Sequence, residues 1–235
     1  MSIVKSYDRG VQKQCRLDLR TFESTGLTVK SIAKPHQTFT LGVGIDHIPT
    51  WQQLSSGVWA LLYNRANGDL ISLPAAQATD LNFTSSDFSG FVWCKFEANQ
   101  NGFFMGNLES SGLTSGWGWY FIGTAVRLCT SNAASGFGMY DLAWTYESTR
   151  WHSFAFSKSG TAAAGYIDGR PAPGSGSVRN PVVTSPYDFS IGRYGHTWAT
   201  LGLDASLCLH RVWNRVLSPV EHMEIFNRER HLFGV

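Results

Sequence analysis

The residues best able to do chemistry here are seven histidines, four cysteines and a thin scatter of carboxylates, and their spacing speaks against most reaction centres. His36, His47, His152, His196, His210, His222 and His231 include no H-x-x-x-H pair, the spacing that sets two imidazoles on one helix face for zinc. Cys15, Cys94, Cys129 and Cys208 lie far apart and form no C-x-x-C, so zinc-ribbon and redox-pair chemistry are not expected. Small, apolar thiols of this kind are expected buried and reduced. Glycoside hydrolysis with retention needs two carboxylates about 5–5.5 Å apart. On a strand that means i and i+2 or i+4, and the pattern E-x-D-x-x-E occurs nowhere. Glu221, Glu224 and Glu229 do cluster, but behind Ser218-Pro219, where an acid three residues after a serine caps a helix. With no G-x-S-x-G elbow either, no catalytic residues are expected. Asp80, Asp87, Asp168 and Asp204 are loop or turn acids without the gathered oxygens a hard cation wants, so no metal ligands are assigned. Asp168 has a plainer role in its Asp-Gly turn.

Binding is a better prospect than catalysis. Arg193-Tyr194-Gly195-His196-Thr197-Trp198 concentrates rings with polar tips in a glycine-containing loop. Such rings suit stacking on a sugar or a protein surface, which makes Tyr194, His196 and Trp198 the ligand-binding candidates. The competing reading folds Trp198 back onto the core.

The elements that must carry these residues are strands. Gly (24), Phe (15), Trp (9) and Tyr (8) are abundant, and only 15% of residues are charged. Phe88 to Phe96 is apolar throughout, as in a strand covered on both faces. Trp117, Trp119 and Phe121 alternate onto one face, as do Phe154 and Phe156. Gly165 to Arg170 reads as a strand entering an Asp-Gly turn, and Leu207 to Trp213 as a long strand. Asn67-Gly68 predicts a hairpin between Val58–Tyr63 and Leu70–Leu73. Leu17 and Leu19 alternate with charges, predicting a strand with one wet face. A helix from the Ser218 cap to about Arg230 should bury a stripe of Val220, Met223 and Phe226. Residues 1–50 are expected to form an arm or small β extension, and residues 51–235 the main body.

A net charge of +2 with no basic run excludes recruitment by nucleic acid or an anionic membrane surface. No apolar window is long enough to span a bilayer, so no membrane is expected among the partners. The residues from Met1 to Arg9 show no apolar leader, which suggests a cytoplasmic origin.

Four stretches resemble the laminin-G-like, concanavalin A-like lectin/glucanase family over about residues 83–233. They are Asp87 to Lys95, then Trp151-His152 to Phe156 with Tyr166-Ile167-Asp168-Gly169, then Phe189 to Gly192, and Arg211-Val212-Trp213-Asn214-Arg215-Val216-Leu217-Ser218 with Glu221. The resemblance implies an all-β, antiparallel jelly-roll β-sandwich with one short C-terminal helix. It also implies a binding module for glycans or proteins, sometimes holding calcium, and in a minority a glycoside hydrolase. Where the family often has an Asp pair before its closing motif, this chain has Cys208-Leu209, which weakens an inherited calcium site, so no cofactor is assigned. The expected function is non-catalytic: a bacteriophage virion protein, decorating a capsid or associated with a tail, with protein partners, a surface glycan and homo-oligomerisation as its contacts. The alternative is a free carbohydrate-binding lectin, and a glycoside hydrolase comes third.

Overall fold

A computed structural model describes residues 11, 13–20, 26–34, 37–84, 86–108, 115–132, 136–181, 183–194 and 201–235. The strands form two antiparallel sheets. The first has eight strands, in the order β14 (Arg170–Ala172), β13 (Ala162–Ile167), β12 (His152–Ser159), β7 (Phe88–Phe96), β17 (Ala205–Trp213), β5 (Trp59–Tyr63) and β4 (Thr50–Gln53), with β1 (Cys15–Leu19) also paired to β17. The second has nine, in the order β15 (Gly174–Ser177), β11 (Gly136–Ala143), β10 (Ala125–Asn132), β9 (Trp117–Phe121), β8 (Gly102–Gly106), β16 (Phe189–Ile191), β6 (Ile71–Leu73), β3 (Thr38–Leu41) and β2 (Thr28–Lys30). One helix, α1 (Pro219–Glu229), closes the chain. The predicted β-sandwich with a C-terminal helix is the observed one.

Period-two alternation sorts side chains between layers. From β7, Phe88, Val92, Cys94 and Phe96 enter the core between the sheets, whereas Phe91 and Trp93 join a second apolar layer. Trp117, Trp119 and Phe121 face inward from the other sheet. The Trp119 and Phe156 rings meet edge to face at 5.0 Å, a favoured aromatic geometry. Gly90 makes room for this packing, since a Cβ there would sit 2.4 Å from Cε1 of Phe156.

The second apolar layer lies between the eight-stranded sheet and α1. Trp93 stacks on Phe233 at 4.1 Å and on Phe226 at 5.6 Å, while its Nε1–H donates to Glu229 Oε2 at 2.8 Å. The cap is as predicted: Ser218 Oγ accepts from Glu221 N–H and the Glu221 carboxylate accepts from Ser218 N–H. Burial works to raise the Glu221 pKa, but the bonds from Arg215 and Ser218 prevail and bring it to about 2. The buried face of α1 matches the predicted stripe only in part, through Phe226 on Trp93. His222, Ile225 and Glu229 are buried, and Val220 is 67% exposed. The three-residue spacing drifts around a 3.6-residue helix, and the polar members of the true face hid it from a hydrophobicity pattern.

Two further expectations are corrected. The chain from β5 to β6 crosses between the sheets through a turn over Asn64–Asp69, so the predicted hairpin does not pair. An Asn-Gly turn specifies a local reversal, and which sheet receives the next strand is a matter of tertiary packing. The charged face of β1 is mostly dry: Asp18 and Arg20 are 0% and 7% exposed, while Arg16 stays partly open. Before residue 54, β1 and β4 add to one sheet and β2 and β3 to the other.

Candidate functional site

The side of the nine-stranded sheet turned away from the core carries a row of residues in register across strands: Phe103, Tyr120, Arg127, Asp141 and Ser175. Arg127 and Asp141 form a two-pronged ion pair, with Nε to Oδ1 at 2.6 Å and Nη2 to Oδ2 at 2.7 Å. Both remain part-open to solvent, so the pair contributes little to stability, on the order of 1 kcal/mol. Its planar fork instead holds a fixed set of donors and acceptors at the surface. Tyr120 lies beside it, half-buried and nearly parallel to the Phe103 ring at 6.4 Å. Burial pushes the Tyr120 hydroxyl above its ordinary pKa, so it stays a neutral donor. Met139, like Tyr120, packs against a small buried cluster that includes Cys129, and Phe137, 40% exposed, lies two residues before it on the same strand face.

One end of this floor is walled. Phe103, Leu108, Cys129 and Tyr194 form a small buried cluster against which Tyr120, Met139 and Leu201 pack. Tyr194 points inward at 4% exposure, edge-on to Phe103 at 5.1 Å, and its hydroxyl donates to the Leu108 carbonyl. Of the three residues singled out by sequence, Tyr194 is therefore a buried member of the cluster against which Tyr120 packs. His196 and Trp198 lie outside the described residues. Tyr120, Arg127 and Asp141 escaped sequence reasoning because Arg127 and Asp141 stand 14 residues apart and meet only through the pairing of β10 with β11.

The other groups with chemical potential are engaged in the scaffold. His152 is 2% exposed, its Nδ1 3.0 Å from Asp168 Oδ2 and its Nε2 3.2 Å from Glu147 Oε2. Asp168 also accepts from Ser153 N–H, tying the two halves of the Trp-His and Tyr-Ile-Asp-Gly motif together. Asp80 meets Arg16 and Lys34, Asp87 accepts from Gly160 N–H, and Asp204 accepts from Arg65 N–H. Among the described residues no group of three or more His, Cys, Asp or Glu side chains converges as a metal site. All four cysteines are buried thiols, and burial pushes the Cys15 and Cys129 thiols up to about 12.

The fold and motifs define a lectin-like β-sandwich. A sequence profile of the concanavalin A-like lectin/glucanases superfamily matches residues 67–221, and the chain belongs to that superfamily. No curated protein matches the chain by sequence. Among solved structures, it is similar to the binding domain of Paraclostridial Mosquitocidal Protein 1, with TM-score 0.65 and 12% identity, covering 92% of this chain and 52% of that one. The Trypanosoma rangeli sialidase in complex with sialic acid gives TM-score 0.65 and 14% identity, covering 93% of this chain and 33% of the enzyme. Domain 4 of an extracellular GH43 arabinanase from Geobacillus stearothermophilus, in complex with arabinotriose, gives TM-score 0.62 and 16% identity, covering 91% of this chain and 99% of that domain. The chain thus spans about half of the mosquitocidal binding domain and a third of the sialidase, but the whole of the arabinanase domain.

Proposed function

We propose that this chain is a non-catalytic carbohydrate-binding module whose saccharide lies on the outer face of the nine-stranded sheet. The Tyr120 ring set beside the Arg127–Asp141 fork carries the reading, because a sugar needs an apolar ring for its C–H face and fixed polar groups for its hydroxyls. His196 and Trp198 are proposed as further sugar contacts on the ring chemistry of their sequence. The fold shared over nearly the whole length of an arabinotriose-bound domain supports a binding role. A glycan array followed by calorimetric titration of arabinotriose tests it. Tyr120→Ala and Trp198→Ala should each weaken binding about tenfold, the ~1.4 kcal/mol of a lost ring contact. An array without signal, or two variants that bind like the parent, would defeat the proposal.

Attachment to a bacteriophage virion, as a capsid-decorating or tail-associated protein, is a second reading. The exposed aliphatic residues Leu27, Val43 and Ile45, the last 88% exposed, favour a protein contact in an assembly. Ile45→Asp should then abolish co-purification with particles while leaving the fold intact, and unchanged co-purification counts against it.

A further inference from the structure

The six strands β8, β9, β10, β11, β15 and β16, which make up most of the nine-stranded sheet, contain two charged residues, Arg127 and Asp141. These two neutralise each other in the fork described above. Outward positions flanking them include Tyr120, Cys129, Met139, Phe137, Ser175 and Ser177, none of them charged. An acidic sugar brought to this floor meets a guanidinium already bound at Nε and Nη2, and a carboxylate that repels it. An uncharged sugar faces no such conflict: its hydroxyls can donate to the free lone pairs of Asp141, and Arg127 keeps its partner.

Resting on the carbohydrate-binding reading, we propose that this site selects uncharged saccharides and that Asp141 is the residue that excludes acidic ones. Asp141 acts by occupying Arg127, which would otherwise be a ready partner for a sugar carboxylate. Removing the negative charge should therefore narrow the preference without rebuilding the site.

The experiment titrates the full chain with arabinotriose, a sialylated trisaccharide and a short oligogalacturonate, each at low and at physiological salt. The parent is expected to bind the neutral sugar at least about tenfold more tightly than either acid, with little salt dependence. Asp141→Asn, checked for an unchanged unfolding transition, should strengthen acid binding several-fold and make it salt-sensitive. Preference of the parent for an acidic sugar overturns the proposal whatever the variant does, and so does a folded Asp141→Asn with an unchanged acid-to-neutral ratio. Absence of binding to every saccharide defeats the carbohydrate reading itself, an outcome distinct from acid preference.

Discussion

Arg211 Nη2 stands 2.6 Å from Glu229 Oε1, joining the middle of β17 to the last turn of α1. Arg211 is fully buried, and its Nε also lies 3.2 Å from Asp18 Oδ1 on β1. Asp18 is held in turn by Arg20 at 2.6 Å. Two guanidinium groups and two carboxylates thus balance inside the protein, and three distant segments of chain meet at one side chain. Arg211, from the closing family motif, is thus joined to Asp18 and Glu229, which no motif contains.

Removing the central cation should be costly. Arg211→Met removes the cation bound to both Glu229 and Asp18, and a loss of about 3–5 kcal/mol is expected in urea unfolding. Glu229→Gln keeps an oxygen for the Trp93 indole and should lose less, about 1.5–3 kcal/mol. Parent-like stability of Arg211→Met would mean that the joint contributes nothing.

Deleting residues 1–50 should abolish the cooperative fold. The deletion removes β1, β2 and β3 from both sheets and takes away Asp18, leaving the edges of β17 and β6 bare. Loss of dispersed proton NMR signals and of a sharp thermal transition is expected. A truncated chain that still unfolds cooperatively would restore the idea of a separable arm.

Stability should fall on mild acidification. Burial lowers the pKa of His210 and of His222 from 6.5 to about 3, with Arg211 adding to the effect at His210. Between these values the unfolded chain binds protons that the folded protein refuses, so stability is full above the unfolded pKa and declines as pH drops toward 3. From pH 7 to pH 5 the expected loss is about 2 kcal/mol per histidine, measured as a shift in urea midpoint. His210→Leu should flatten that slope, and an unchanged slope would remove His210 from the account.

Much of the layer structure was legible in the chain. Strands β7, β9 and β12 alternate or run apolar as layered sheets require, and a serine, a proline and a glutamate at fixed spacing announced the helix start. The binding floor was not legible, because Tyr120, Arg127 and Asp141 belong to three strands and become neighbours only through register.

By itself, then, the sequence determined the all-β class, the period-two division of side chains and the capped helix, since each depends on residues a few positions apart. Tertiary structure alone decided that β5 and β6 part into different sheets, that charged β1 is buried against Arg211, and that Tyr194 turns inward. Those outcomes rest on contacts between distant segments, where burial and charge pairing override local pattern.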